Sequence, residues 1–205
     1  MTMRLPARFS FARLLLAGVL MLCAVAARAQ SFVVVDDRPV RFFAGIGLTG
    51  GGDRLVTTRY NYRDDYTLHA GGVFQAHFGA EFKVAPGVSL ALSAGYHVDG
   101  NSNFWGSTTF SRYPIEALAH VRLQPGWRAG GGLRVALNPR LSSDGYAPVT
   151  EEDFRTAVGG VVEVEYLFNP WLGLKLRGVF ERYESKLNLP TVSGNHVGLV
   201  LNFYF

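Results

Sequence analysis

The sequence predicts an all-β protein: an eight-stranded antiparallel transmembrane β-barrel preceded by a cleavable signal peptide. Three observations predict it. The first 30 residues have the charge and size pattern of an export signal. Eight later stretches alternate strictly between an apolar face and a face that carries the charges. The connections between those stretches alternate between tight turns and long polar loops.

The export signal comes first. Arg4, Arg8 and Arg13 form a positive segment, and Leu14 to Ala27 is an apolar run. Ala27-Arg28-Ala29 fits the small-x-small pattern of a cleavage site, with Gln30 as the new N-terminus. The apolar run is shorter than the roughly 20 residues that a spanning helix needs. The expected organisation is therefore a signal peptide over residues 1–29 and a barrel domain over residues 30–205. Removing the signal changes the charge balance. All 16 acidic residues, but only 16 of the 20 basic ones, follow Gln30, so the formal charge of +4 belongs to the precursor. A neutral mature chain gives no electrostatic footprint for nucleic acid. The single cysteine, Cys23, lies inside the apolar run, which leaves the barrel domain without thiol or disulfide chemistry.

The strands follow from a period of two, because successive side chains of a strand leave opposite faces. In 40–49, Val40, Phe42, Ala44, Ile46 and Leu48 oppose Arg41, Phe43, Gly45, Gly47 and Thr49. In 67–83, Leu68, Ala70, Gly72, Phe74, Ala76, Phe78, Ala80 and Phe82 share one face, with His69, His77 and Glu81 on the other. The same alternation runs through 88–98, 110–123, 127–137, 154–168, 171–183 and 194–205. Eight is an even number, as single-chain bacterial barrels require. Ala85-Pro86-Gly87, Gln124-Pro125-Gly126 and Asn169-Pro170 read as tight turns. Residues 50–66, 99–109, 138–153 and 184–193 read as long polar loops. Short turns at one rim and long loops at the other would place turns and termini in the periplasm and loops outside.

Lipid is the expected environment of the apolar face. A soluble lipocalin-like barrel would turn apolar residues inward and show many charged side chains outside. Here the apolar face is nearly free of charge over all eight strands, and closure leaves no unpaired backbone edge. Aromatics gather near both strand ends, as interfacial belts do. Phe42, Phe82, Trp127, Phe168, Trp171, Phe203 and Phe205 are expected at the turn rim, and Tyr96, Tyr113, Phe154 and Phe180 at the loop rim.

The opposite face supplies the candidate lumen. It holds Arg41, Glu81, Arg112, Glu116, Arg122, Arg128, Arg134, Arg155, Glu163, Glu165, Lys175, Arg177 and Glu181. Pairing across the tight turns places Glu116 near Arg134, Arg128 near Glu163, and Lys175 near both Glu163 and Glu165. Buried charges must be paired to be tolerated, so an ion-pair network plugging the lumen is expected. All five histidines (His69, His77, His97, His120 and His196) fall on the charged face, but at scattered heights and with no zinc spacing. No metal, cofactor or catalytic residue is expected. Gly50-Gly51-Gly52 leads into Asp53 and no helix, so it is not a phosphate loop. Gly130-Gly131-Gly132 lies within a strand.

Two segments carry a family resemblance. The last stretch, GNHVGLVLNFYF (194–205), ends on Phe after alternating apolar residues, and FFAGIGLTGGGD (42–53) is a glycine-rich opening strand. They resemble small outer-membrane β-barrels of the opacity type and the OmpA transmembrane domain, over nearly all of residues 40–205. The resemblance implies localisation in the outer membrane of a Gram-negative bacterium after export through the periplasm, with outer-membrane lipid as surroundings. It also implies recognition of the C-terminal strand, through Phe203 and Phe205, by the barrel assembly machinery; no appended peptidoglycan-binding domain is expected after Phe205. Such barrels share a scaffold and vary their loops, so function is read from the site. The expected role is non-enzymatic: structural, or a surface interaction through the extracellular loops with a ligand left unnamed. Two alternatives stay open. One is a lipid A-modifying enzyme, for which Ser185, Glu184 and His196 near the loop rim are the candidates. The other is a small diffusion channel.

Overall fold

The computed structural model describes residues 38–58, 66–103, 106–145, 151–187 and 190–205. The signal peptide expected over residues 1–29 lies outside these. Among the described residues the secondary structure is entirely strand. The strands are β1 (Val40–Gly51), β2 (Arg54–Thr58), β3 (Tyr66–His69), β4 (Val73–Ala85), β5 (Val88–Asn103), β6 (Gly106–Gln124), β7 (Trp127–Gly145), β8 (Glu152–Asp153), β9 (Ala157–Asn169), β10 (Leu172–Phe180), β11 (Arg182–Tyr183), β12 (Val192–Ser193) and β13 (His196–Tyr204). Eight of them close into a barrel in the order β6-β5-β4-β1-β13-β10-β9-β7, with β7 pairing back onto β6. All neighbours are antiparallel, and β1 pairs with β13 from Phe43↔Tyr204 to Gly51↔His196. Phe42 and Phe205 exchange backbone bonds of 3.2 and 3.0 Å beyond that ladder. The C-terminal residue therefore completes the seam.

The tight turns lie where the sequence places them. Gly87 and Gly126 adopt positive φ of 75° and 78°, the conformation that glycine enters without steric cost. The apolar face points outward: Ile46, Phe78, Leu92, Leu133, Val162, Leu176 and Val197 are all exposed. On β6 this face runs from Tyr113 to Leu123. Ten residues of strand tilted by roughly 40° span a belt of about 25 Å, the height of the apolar band of an outer-membrane barrel. Tyr96 and Tyr113 meet at one edge of the belt, with ring centroids 5.4 Å apart. Trp127 and Tyr166, at 4.9 Å, mark the other.

At the loop end the structure departs from the sequence reading in three places. First, the expected loops 99–109 and 138–153 are largely strand: β5 runs to Asn103, β6 starts at Gly106, and β7 continues to Gly145. Above the lipid level both faces of a strand can be polar, so alternation vanishes while pairing persists. Second, residues 67–83 are not one strand. The chain turns at Ala70–Gly71, and β3 pairs with β2 rather than with a barrel neighbour. Leu68 and Ala70 are consequently buried instead of facing outward. Third, Phe154 precedes β9 and bridges to Ser185. It is 2% exposed rather than part of the rim belt.

A further shift of phase occurs in β7. Asn138 sits at φ 48°, left-handed backbone that Asn tolerates, and the β6–β7 register slips between Ser111 and Tyr113. Leu137 faces outward before the slip and Leu141 inward after it. Leu141 then joins Leu68, Ala70, Phe110, Ala136, Phe154, Ala157 and Tyr183 in an apolar cluster over the loop end of the lumen. Asp53 and Ser193 tie the pieces of this dome reciprocally, Asp53 N to Ser193 O at 2.7 Å and Ser193 N to Asp53 Oδ2 at 2.8 Å.

Candidate functional site

Within the barrel the inward positions of eight strands deliver charge to a narrow space. Six cations (Arg41, Arg112, Arg128, Arg134, Lys175 and Arg177) meet six carboxylates (Glu81, Asp99, Glu116, Glu163, Glu165 and Glu181); all are buried except Arg41, whose side chain is 11% exposed. Inward glycines make room for them. A Cβ on Gly45 would fall on Asn202 and His77, one on Gly130 on His120, and one on Gly173 on Glu165. The lumen is filled by side chains at these heights, as expected for eight strands.

Three linked groups follow one another along the axis. Nearest the turns, Glu81 Oε2 accepts from Arg41 Nη2 at 3.0 Å, and Glu81 Oε1 accepts from Arg128 Nη1 at 2.6 Å and from Ser89. Arg128 Nε donates to Glu165 Oε2 at 2.5 Å. The Tyr204 hydroxyl receives Arg128 Nη2 and Asn202 Nδ2 and donates to Glu165 Oε1 at 2.7 Å. Halfway up, Glu163 Oε1 takes Lys175 Nζ at 2.9 Å and His120 Nε2 at 2.7 Å. Glu116 bridges Arg134 Nη1 and Arg177 Nη2, each at 2.7 Å. Toward the loops, Arg134 Nε donates to Glu181 Oε2 at 3.0 Å, and the Tyr183 hydroxyl donates to Glu181 Oε1 at 2.5 Å. Burial holds the Tyr183 phenol protonated well above its ordinary range. Apolar groups flank this polar column: Phe43, Ala91, Leu167 and Tyr204 toward the turns, and the dome above.

Of the expected lumen charges, the structure buries Glu116, Arg128, Arg134, Glu163, Glu165, Lys175 and Arg177 within the barrel and leaves the Arg41 side chain 11% exposed. The partners differ at one point. Arg128 binds Glu165 and Glu81 rather than Glu163, because β7 meets β9 with Arg128 opposite Glu165 and Gly130 opposite Glu163. Two residues of the inward set are not inside. Arg122 is exposed at the turn end beyond the last lumen layer. Arg155, 62% exposed, lies before β9 and pairs with Glu184 on the surface. Of the histidines, His97, His120 and His196 are buried and His77 bonds Asn202 at 3.0 Å, whereas His69 belongs to the β2–β3 hairpin. Phe203 and Phe205 face outward at the turn end.

The enzyme candidates each have other partners. Ser185 Oγ accepts from Leu187 N at 3.0 Å, Glu184 points to solvent, and His196 Nδ1 donates to the Gly194 carbonyl at 2.7 Å. Among the described residues no hydrogen bond joins Ser185 to His196. Sequence reasoning missed Tyr183 and Tyr204 as network members, and Asp99, which accepts from His69 N at 2.8 Å. Tyr183 and Tyr204 share the inward parity of Glu181 and Asn202, but nothing in the alternation says that a hydroxyl will cap a carboxylate.

A closed eight-stranded antiparallel barrel with a charged, filled interior and an apolar belt edged by aromatics defines a class: the small outer-membrane β-barrel proteins. No protein-family model matches the chain, and no curated protein matches its sequence. Solved structures with this fold include Neisserial surface protein A, with 11% identity and a TM-score of 0.52, covering 82% of this chain and 98% of that one. Ail, the attachment invasion locus protein of Yersinia pestis, is similar at 9% identity and a TM-score of 0.52, over 81% of this chain and 97% of that one. The shared property is the fold.

Proposed function

We propose that this protein is a non-enzymatic integral barrel of the outer membrane, non-conducting, that acts through the surface it presents at its loop end. The observation that carries this reading is the mutual consumption of the lumen charges. Six buried or nearly buried cations face six carboxylates, and the column is covered at the loop end by the Phe110–Phe154–Tyr183 layer. A pore lined by charge needs unpaired groups facing water, whereas here Arg128, Lys175, Arg134 and Arg177 each bond a buried carboxylate across the axis. Among the described residues the loop end suits a surface role because its strands are tied to one another by backbone bonds. Lys186 N donates to Asp153 O at 3.1 Å and Arg155 N to Glu184 O at 2.8 Å, which joins β8 to the segment after β11. Such ordering lowers the entropy lost on engaging a partner. The two similar folds, a surface protein and an attachment invasion locus protein, are compatible with this role. Recognition of the C-terminal strand by the barrel assembly machinery belongs to the same proposal.

The test is electrical and cellular. Purified protein in planar bilayers should show no stable conductance steps, and recordings with reproducible open states would overturn the closed-lumen reading. Cells lacking the protein should keep their lipid A pattern in mass spectrometry while losing a surface phenotype such as adhesion. A changed lipid A profile would instead support the enzyme.

A further inference from the structure

The lumen layer directly beneath the dome has a hydrogen-bond imbalance. Gln75 Nε2, Arg112 Nε and Arg112 Nη1 are buried donors without a partner among the described residues, and His196 Nε2 is likewise unpartnered. These groups share one layer. Arg112 Nη2 is 3.3 Å from His97 Nε2, the His97 and His196 rings are 4.8 Å apart, and Gln75 is the cross-strand partner of His97.

Tautomers sharpen the imbalance. His196 Nδ1 lies 2.7 Å from the Gly194 carbonyl, which can only accept, so Nδ1 carries the hydrogen and Nε2 offers a lone pair. His97 faces Arg134 Nη2 with Nδ1 at 3.2 Å and Thr49 Oγ1 with Nε2 at 2.8 Å. A neutral imidazole has one lone pair, so His97 can accept from only one of its two arginines. When Nε2–H bonds Thr49, Nδ1 serves Arg134 and the third nitrogen of Arg112 also lacks an acceptor. Donors cannot satisfy donors. Glu181 Oε1, 3.6 Å from Arg112 Nε and 3.8 Å from His196 Nδ1, makes no hydrogen bond to either and already accepts from the Tyr183 hydroxyl. The mid-lumen gap is different in kind. Arg177 Nε and Glu163 Oε2, both unpartnered, face each other at 3.7 Å and can close on one another.

We infer that the layer formed by Gln75, His97, Arg112, Glu181 and His196 is a binding site for a small cluster of ordered water, sealed from the loop side by Phe110 and Tyr183. The inference extends the closed-lumen reading, since it concerns what occupies the space beneath the seal. Water supplies the missing acceptors and a donor for His196 Nε2, and a buried water commonly makes about three such bonds. An anion would supply acceptors too, but the local charge is already balanced. Arg112 and Arg134 stand against Glu181 and Asp99, and an added negative charge would be uncompensated in a buried site. The roof explains why the water would be held. Tyr183 and Phe110 place their rings 5.7 and 5.1 Å from the Arg112 guanidinium carbon, covering it with apolar surface.

The experiment is a high-resolution crystal structure of the whole barrel domain grown in bromide, with anomalous data. Ordered water within hydrogen-bond distance of Arg112 Nε or Nη1, with water also reaching His196 Nε2 and no bromide peak, supports the site. A bromide peak on Arg112 overturns the choice of ligand. A dry layer, in which Arg112 and Gln75 bond protein acceptors directly, overturns the site itself. A solution readout is independent of crystal growth. In nanodiscs, the side-chain amide of Gln75 should show a nuclear Overhauser effect to long-lived water, and its absence counts against the proposal. Conductance recordings on the same protein distinguish the two readings, since a conducting barrel would overturn the closed lumen whatever the crystal shows.

Discussion

Replacing Glu116 by Gln probes the centre of the lumen with little change of shape. The carboxylate accepts from Arg134 and Arg177 at 2.7 Å each, and all three side chains are buried. The amide keeps one acceptor but turns an NH2 toward one guanidinium and removes the charge that both arginines face. A hydrogen bond to a charged group contributes about 1.5–3 kcal/mol, and two are affected. Breaking a buried ion pair by deleting one partner costs about 3–5 kcal/mol, because the survivor stays desolvated. The two estimates agree on a loss near 3–5 kcal/mol, roughly a 10²- to 10⁴-fold change in the folding equilibrium. Denaturant unfolding of the refolded barrel in lipid, read by the mobility shift between boiled and unboiled samples, measures it. The exposed pair Arg140–Glu151, 56% exposed on each side, is the control, and Arg140→Ala should cost no more than about 1 kcal/mol. The double variant Glu116→Leu with Arg177→Leu should recover part of the loss, since it removes one uncompensated charge along with its partner. An E116Q barrel as stable as the unaltered protein would refute the claim that paired charges hold the lumen together.

Other expectations test the remaining surfaces. Leu133, 64% exposed near the middle of the belt, should tolerate Ala, while Leu133→Arg should cost about 2–4 kcal/mol and lower the yield of folded barrel in vesicles. Gly45→Ala should destabilise by about 1–3 kcal/mol, because its Cβ would fall on Asn202 Oδ1, which accepts from His77; a silent substitution in a melting experiment would mean that the turn half of the lumen is loose. Deleting Phe205 removes two backbone bonds to Phe42 and should reduce assembly in cells more than refolding in vitro; equal losses in both assays would place its role in the seam alone.

The barrel was legible in the sequence because lipid and lumen impose opposite demands on successive residues. Leu174-Lys175-Leu176-Arg177 can satisfy both only as a strand of a closed barrel with its charges inside. Eight such segments, joined alternately by tight turns and longer connections, leave little freedom in topology. Register was harder to read. Whether Arg128 meets Glu163 or Glu165 depends on how β7 pairs with β9 across the long connection between them, two residues of offset that alternation cannot distinguish because both glutamates share a face. Legibility also ended at the lipid boundary. Above Tyr113 the outside is water, so Thr109, Ser111 and Ser142 replace apolar residues, and strands read as loops. The phase shifts at Ala70–Gly72 and Asn138 reverse facing within one residue, which is how Leu68 and Leu141 came to be buried.

Those shifts give the chain two interiors of opposite chemistry. Below the slip at Asn138 the inward face carries the charges, with apolar side chains such as Leu118 and Val161 between them, because most apolar side chains are taken by lipid. Above it, lipid no longer competes, and inward becomes apolar again, as in a water-soluble core. Phe110 and Arg112 mark the boundary two residues apart on the same face of β6: the ring belongs to the dome, and the guanidinium just below it belongs to the ionic column. A barrel that was polar throughout would leave its column open to solvent at the loop mouth, and exposed ion pairs are worth little. The dome shuts bulk solvent out at the loop side of the network, so that pairs such as Arg134–Glu181 hold in a low dielectric. Weakening the dome should therefore weaken the column. Tyr183→Ala removes the ring over Arg112 and the hydroxyl on Glu181 together. Tyr183→Phe removes the hydroxyl alone and should cost about 1.5–3 kcal/mol, the range for a buried bond to a carboxylate. If the Ala variant is no less stable than the Phe variant in the same unfolding assay, the ring shields nothing and the two interiors are independent.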